Sequence, residues 1–113
     1  MSDRRTHTIV LAPPAARVAA GGSTAFEVSR FTEALLFIDV KVVSGASPTL
    51  DFEVQTGPAD DEVAFVHTRP EQITSAGKTL VMLVNIGSWL RLAWSVGGEG
   101  SSFTFEARLA LKT

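Results

Sequence analysis

The chain has 113 residues, with ten Lys or Arg and twelve Asp or Glu, so its formal net charge is -2. This length predicts one domain, and the slightly acidic balance argues against nucleic-acid binding by phosphate neutralisation. Cysteine is absent, which excludes disulfides, thiolate metal sites and cysteine nucleophiles. Hydrophobic residues make up 45% and charged residues 19%, a composition that favours a compact protein with apolar side chains to spare on its surface.

The first residues predict a short tail rather than a targeting segment. Residues 2–6 are polar, and we expect residues 1–5 to form a flexible tail before a single β-sandwich domain over residues 6–113. Four apolar residues, Ile9–Ala12, precede Pro13-Pro14. A secretory signal needs roughly 7–15 apolar residues and a membrane span about 18, so neither is expected here.

Apolar and polar residues then alternate with period 2 in short segments separated by Gly, Pro, Ser and Asp. Strands are predicted over residues 6–11, 24–29, 34–43, 49–56, 62–67, 78–84, 88–96 and 103–111. Pro13-Pro14 is expected to end the first strand, while residues 15–22 fit either a turn of helix or an edge strand. Residues 44–48 and 97–102 are predicted loops, and residues 69–77 a polar linker.

This spacing of strands and turns predicts an all-β fold: a single antiparallel β-sandwich or jelly-roll-like domain of about eight strands. The alternation also predicts which side chains face the core. The predicted core contains Leu36, Ile38, Val40, Leu50, Phe52, Val54, Leu90, Leu92, Trp94, Phe103, Phe105 and Leu109.

The candidate residues for catalysis or metal binding are few and scattered. His7 and His67 have no partner at the spacing of a zinc site, so we predict no metal or catalytic role for either. The acidic run Asp60–Glu62 has oxygen ligands of the kind that Ca²⁺ prefers, but its spacing is more typical of a solvated turn. Asp51 and Glu53 lie about 6–7 Å apart on the same face of a strand. We interpret them as solvated carboxylates on the polar face of that strand. We therefore predict no enzyme activity, no catalytic residue, no cofactor and no metal.

Apolar residues occur on both faces of two predicted strands, residues 34–38 and 80–84. One face of a sandwich strand is normally polar, and exposed apolar patches usually mark interaction sites. Trp89 is out of phase with the inward residues of its strand and shares its face with Arg91, and both residue types are enriched at binding hot spots. The alternative is that a loop of the same chain, or residues 15–22, covers these strands. The predicted protein interface contains Leu35, Phe37, Met82, Trp89 and Arg91.

Two stretches carry a resemblance to a known class of proteins. Residues 38–55 read IDVKVVSGASPTLDFEVQ, with an S-G-x-S-P-T-L-D loop between two strands, and residues 89–106 read WLRLAWSVGGEGSSFTFE, with an L-R-x-x-W-x-V-G-G-x-x-x-S-F-T-F ending. Over about residues 33–111 the sequence resembles small structural proteins encoded among the head and tail genes of tailed bacteriophages and prophages.

The resemblance implies a virion component, made in the host cytoplasm and placed on the capsid surface as a decoration or cement protein. Its expected partners are the major capsid protein and further copies of itself, with a trimer as one option, and neither nucleic acid nor a membrane. Two alternatives remain open at this point: a tail or neck subunit, and a carbohydrate-binding module that stacks Trp89 or Trp94 on sugar rings.

Overall fold

The computed structural model describes residues 6–113, so the predicted tail over residues 1–5 lies outside the described residues. All paired strands are antiparallel, and no helix occurs within residues 6–113. The strands are β1 (Thr6–Arg17), β2 (Gly21–Gly22), β3 (Phe26–Glu27), β4 (Glu33–Gly57), β5 (Phe65–Thr68), β6 (Gly77–Val84) and β7 (Trp89–Lys112).

The long strands β4 and β7 form the frame of the fold. They pair with each other over their whole length, and this ribbon bends in the middle so that its two halves face one another. Sheet I contains β1, residues 102–112 of β7, residues 33–44 of β4, and β6, in that order. Sheet II contains β2 and β3, residues 89–97 of β7, residues 49–57 of β4, and β5. The predicted all-β fold, an antiparallel β-sandwich or jelly-roll-like domain, is confirmed, and its seven strands form one continuous sheet of which sheets I and II are the two halves.

The bend explains why the structure has fewer, longer strands than the sequence predicts. Gly45 has a φ of 115° and Gly98 a φ of 95°, both in the left-handed region that favours glycine. A Cβ atom on Gly45 would lie 2.5 Å from the Cα of Ser101, so the two corners pass in close contact. The loops predicted at residues 44–48 and 97–102 are therefore wrong: they are bulged corners within β4 and β7.

The two sheets meet through aromatic side chains. Phe105 of sheet I makes edge-to-face contacts with Phe52 and Trp94 of sheet II, with ring centroids 5.1 and 5.3 Å apart. Every residue of the predicted core is buried except Trp94, which is half-buried and packs against the buried cluster. A register shift between Val40 and Val42 turns Val42 outward, although strict alternation predicts it on the inner face.

The amino-terminal strands differ from the prediction in a way that their position explains. Strand β1 continues past Pro13-Pro14 to Arg17, with a register shift between Ala12 and Ala15. Proline is tolerated there because β1 is an edge strand, where a missing backbone N–H leaves no ladder bond unmade. Of residues 15–22, which fit either a turn of helix or an edge strand, residues 15–17 end β1 and residues 21–22 form β2, with no helix between them. The predicted strand over residues 24–29 is reduced to β3.

Arg17 joins the two sheets along this side of the sandwich. Its guanidinium carbon lies 4.9 Å from the ring centroid of Trp94 and 4.6 Å from that of Phe105. Its Nη2 donates a hydrogen bond to the carbonyl of Pro13 at 2.7 Å, and burial lowers the pKa of Arg17. The contact combines cation–π attraction with apolar packing, so Arg17 covers the half-buried Trp94.

Candidate interaction surface

The outer face of sheet I carries a block of exposed apolar side chains. Leu35 of β4 pairs directly with Met82 of β6, and Phe37 pairs with Leu80. Phe37 is 45% exposed, Leu80 57% and Met82 74%. Directly opposed residues in an antiparallel pair lie on the same face with their Cβ atoms about 5 Å apart, so these four side chains form one cluster. We call them the apolar patch.

Charged side chains of β4, β6 and β7 border the apolar patch. Lys41 donates a hydrogen bond to Asp39 at 3.2 Å, and the Nζ of Lys78 lies 3.9 Å from the same carboxylate. On β7, Arg108 donates to Glu106 at 3.3 Å. An open depression of about 460 Å³ is lined by the patch residues Phe37 and Leu80 and by four of the charged residues, Asp39, Lys78, Glu106 and Arg108. Exposed ion pairs of this kind contribute little to stability.

The outer face of sheet II is polar by contrast. Gln72 donates from its amide nitrogen to both carboxylate oxygens of Asp51 at 3.1 Å, and Arg69 donates to Glu53 at 3.1 Å. Gln55 donates to the other oxygen of Glu53 at 2.8 Å. These hydrogen bonds, first from Gln55 and then from Arg69, hold the pKa of the Glu53 carboxyl below its usual value. The linker predicted over residues 69–77 thus contributes to this face, and Ile73 pairs with Leu50 beneath it.

The structure divides the predicted interface between the two outer faces. Leu35, Phe37 and Met82 come together in the apolar patch, whereas Trp89 and Arg91 lie on the outer face of sheet II. Both of these are half-buried: Trp89 lies across from the short β3, and the guanidinium of Arg91 lies close to the backbone of β2. The five residues therefore do not form one surface, and their role in binding stays a prediction.

Sequence reasoning missed some exposed apolar residues beside the patch. Leu80 and Val84 share the outward row of β6 with Met82, and the same alternation that identified Met82 includes them. Phe65 and Val66 of β5 are also exposed. Their strand is predicted over residues 62–67, but periodicity alone does not reveal that β5 lies at the edge of sheet II.

The residues considered for catalysis or metal binding do not come together in one site. The ring of His7 stacks on Phe31 with centroids 6.2 Å apart, and His67 hydrogen-bonds the carbonyl of Val84 at 2.6 Å through Nε2. No group of three or more His, Cys, Asp or Glu that could hold a metal ion occurs among the described residues. Nor do residues 6–113 include a helix long and apolar enough to span a bilayer. Trp94 packs edge-to-face on Phe105 between the sheets and is half-buried.

Known proteins are similar to this chain in fold but not in sequence. No protein-family model and no curated protein matches this chain. Among solved structures, it is similar to the infectious bursal disease virus Gx strain (TM-score 0.61, 11% identity, 98% of this chain and 32% of that one). It is also similar to the infectious bursal disease virus VP2 subviral particle (TM-score 0.60, 12% identity, 97% of this chain and 32% of that one). A third similar structure is the SPBc2 prophage-derived protein YomS (TM-score 0.56, 10% identity, 100% of this chain and 97% of that one).

These likenesses establish the fold that the chain shares with viral and prophage proteins. The chain spans about a third of the length of the virus-particle chains that it matches, but it corresponds to nearly the whole of the prophage-derived protein. The predicted resemblance to phage proteins is thus supported at the level of a common β-sandwich.

Proposed function

We propose that this chain is a structural protein of a bacteriophage virion that decorates the capsid by binding the lattice of the major capsid protein. The observation that carries the proposal is the apolar patch, in which exposed Phe37, Leu80 and Met82 lie with half-buried Leu35 on one outer face of a small sandwich. The shared fold supports it, because related sandwiches occur in virus particles and in a prophage-derived protein of nearly the same extent.

The proposed mechanism is burial of apolar surface on binding, with no chemical reaction. Apolar area removed from water contributes roughly 25 cal/mol per Å², from which the cost of association is subtracted. The charges beside the patch, Asp39 and Glu106 against Lys78 and Arg108, are of both signs, so they are suited to selecting one orientation on a partner. On a repeating lattice the same contact recurs at every capsid subunit, which strengthens the shell by many small increments.

The experiment that tests this function locates the chain in particles. A lysate of a host that carries the gene is separated on a density gradient into heads, tails and complete virions, and the chain is detected by immunoblot. We expect it in heads and virions. Detection in tails alone would contradict decoration and favour the tail subunit, and absence from all particle fractions would contradict a virion role.

A second arm measures stabilisation of the head. Heads from a strain that lacks the gene are heated with and without added purified chain, and DNA release is followed. Added wild-type chain is expected to raise the temperature of release, whereas a Phe37→Asp chain is expected to leave it unchanged. Equal protection by both chains would contradict docking through the apolar patch.

A further inference from the structure

The edge strands of the sandwich are protected unequally. Strand β1 carries Pro13-Pro14 and two register shifts, β2 and β3 have two residues each, and β5 has four residues beside a register shift. Short strands, prolines and bulges are the features by which proteins prevent unwanted pairing at sheet edges. Strand β6 has none of these: it has eight residues, a regular ladder with β4, no proline, and Lys78 as its one charged residue. Within residues 6–113 it is therefore the edge best suited to accept another strand.

The backbone groups of β6 that face the open edge can be identified. The N–H of Asn85 donates to the carbonyl of Thr32 at 3.1 Å, so the adjacent pair of Glu33 and Val84 is of the non-hydrogen-bonded kind. Because the ladder is regular, the N–H and C=O groups of the even-numbered residues point away from β4. These are Lys78, Leu80, Met82 and Val84, the same residues whose side chains line the outer face.

We propose that β6 pairs antiparallel with β6 of a second copy of this chain, with Val81 on the two-fold axis. In this register Leu80 lies opposite Met82 of the second copy, and Met82 lies opposite its Leu80. Each of these pairs exchanges two N–H···O=C bonds through groups that otherwise face solvent. Each row of the apolar patch then continues across the axis, from Phe37 and Leu80 into Met82 and Leu35 of the second copy.

Charge and capping suit the ends of the same register. Lys78 lies opposite Val84 of the second copy, whose neighbour across the ladder is Glu33, so the cation gains a carboxylate on its far side. The carbonyl of Val84 is already bonded to His67 at 2.6 Å, which marks the point where the pairing ends. Shifting the register by two residues in one direction would instead place Lys78 opposite Met82, and in the other it would shorten the paired segment.

The pairing does not depend on the proposed function, although it would double the apolar face that a lattice partner meets. The chain has no cysteine, so one introduced thiol reports on register directly. Val81 would face its own counterpart with Cα atoms about 4.5 Å apart, within the range of a disulfide. Thr79 would be roughly 13 Å from its counterpart, because the two lie four residues apart along the strands.

The first test is oxidation of purified Val81→Cys and Thr79→Cys chains, read as monomer and dimer on a non-reducing gel. We expect a disulfide-linked dimer for Val81→Cys and at least tenfold less for Thr79→Cys. Equal crosslinking of both, or none with Val81→Cys, would overturn the register. Thermal unfolding of each reduced chain checks that both are folded.

The second test measures the dissociation constant of the dimer by sedimentation over a range of concentrations. Leu80→Pro removes an edge-facing N–H that makes no bond to β4, so it should keep the fold and raise the dissociation constant at least tenfold. Leu80→Ala keeps the N–H and should raise it by a smaller factor. A wild-type chain that is monomeric at every concentration, or trimeric, would overturn the pairing. A monomeric wild-type chain that binds capsids, together with a Leu80→Pro chain that does not, would also overturn it. In that case β6 would accept a strand of the capsid protein instead of a second copy of this chain.

Discussion

The outer faces of the two sheets expose different kinds of side chain, although the strands of both alternate in the same way. On sheet I the outward residues of β4 and β6 include a cluster of apolar side chains, in which Phe37 and Leu80 lie side by side. On sheet II the outward residues of β4 are Asp51, Glu53 and Gln55, and residues of the following segment hydrogen-bond the two carboxylates. One face satisfies its polar groups within the chain, and the other leaves apolar area in water.

The difference locates the apolar excess of the composition. A small sandwich always exposes some apolar atoms, and isolated exposed residues need no explanation. Here large apolar side chains are concentrated on one face and along one unprotected edge, where each increases the area that a partner could bury. Sheet II is therefore the more polar side of the molecule, and sheet I is the side that we propose as the binding face.

The largest expected effect separates the core from the apolar patch. Phe105→Ala removes a fully buried ring that contacts Phe52 and Trp94, and it should lower the free energy of unfolding by about 3–5 kcal/mol. Phe37→Ala removes the same ring from the outer face and should cost about 1 kcal/mol or less. Denaturant unfolding of both variants checks this. Equal losses would mean that Phe37 serves folding and would weaken its assignment to binding.

A smaller effect is expected where the two sheets are joined at the side. Arg17→Ala removes the guanidinium that covers Trp94 and Phe105, and it should lower the free energy of unfolding by about 1–2 kcal/mol. Arg17→Lys should recover only part of this, because an ammonium group does not stack flat on a ring. Trp fluorescence during unfolding is the readout. Full recovery by lysine would show that charge alone accounts for the contact.

The smallest effect concerns pH and belongs to the polar face alone. The pKa of Glu53 is lowered in the folded chain, so its contribution to stability is complete above the ordinary value of 4.5 and is lost as pH falls through the lowered one. Between about pH 5 and pH 3, wild type should therefore lose more stability than Glu53→Gln does. Phe37→Ala, on the other face, should keep the wild-type pH profile. Parallel profiles for wild type and Glu53→Gln would contradict the assigned role of these hydrogen bonds.

The inner face of each strand could be predicted from sequence because alternation within one strand depends only on local geometry. Leu36, Leu50 and Phe103 are all buried as predicted. Trp94 is the exception because it lies opposite the very short β2, where little sheet remains to cover it and Arg17 does so instead.

The corners and the faces could not be predicted in the same way. Turn-forming residues at 44–48 signal a change of direction, but they do not distinguish a loop from a bulge within a continuous strand. Alternation gives Phe37 and Trp89 each an outward direction without assigning them to a sheet. Pairing between distant strands decides that, and it places them on opposite faces.

Co-sedimentation with purified heads tests the central claim most directly. Phe37 and Val66 are 45% and 44% exposed and lie on the outer faces of sheets I and II, so Phe37→Asp and Val66→Asp add the same charge to equally exposed sites. Binding through sheet I predicts that Phe37→Asp weakens binding at least tenfold while Val66→Asp binds as wild type does. Loss of binding with Val66→Asp and its retention with Phe37→Asp would contradict the account.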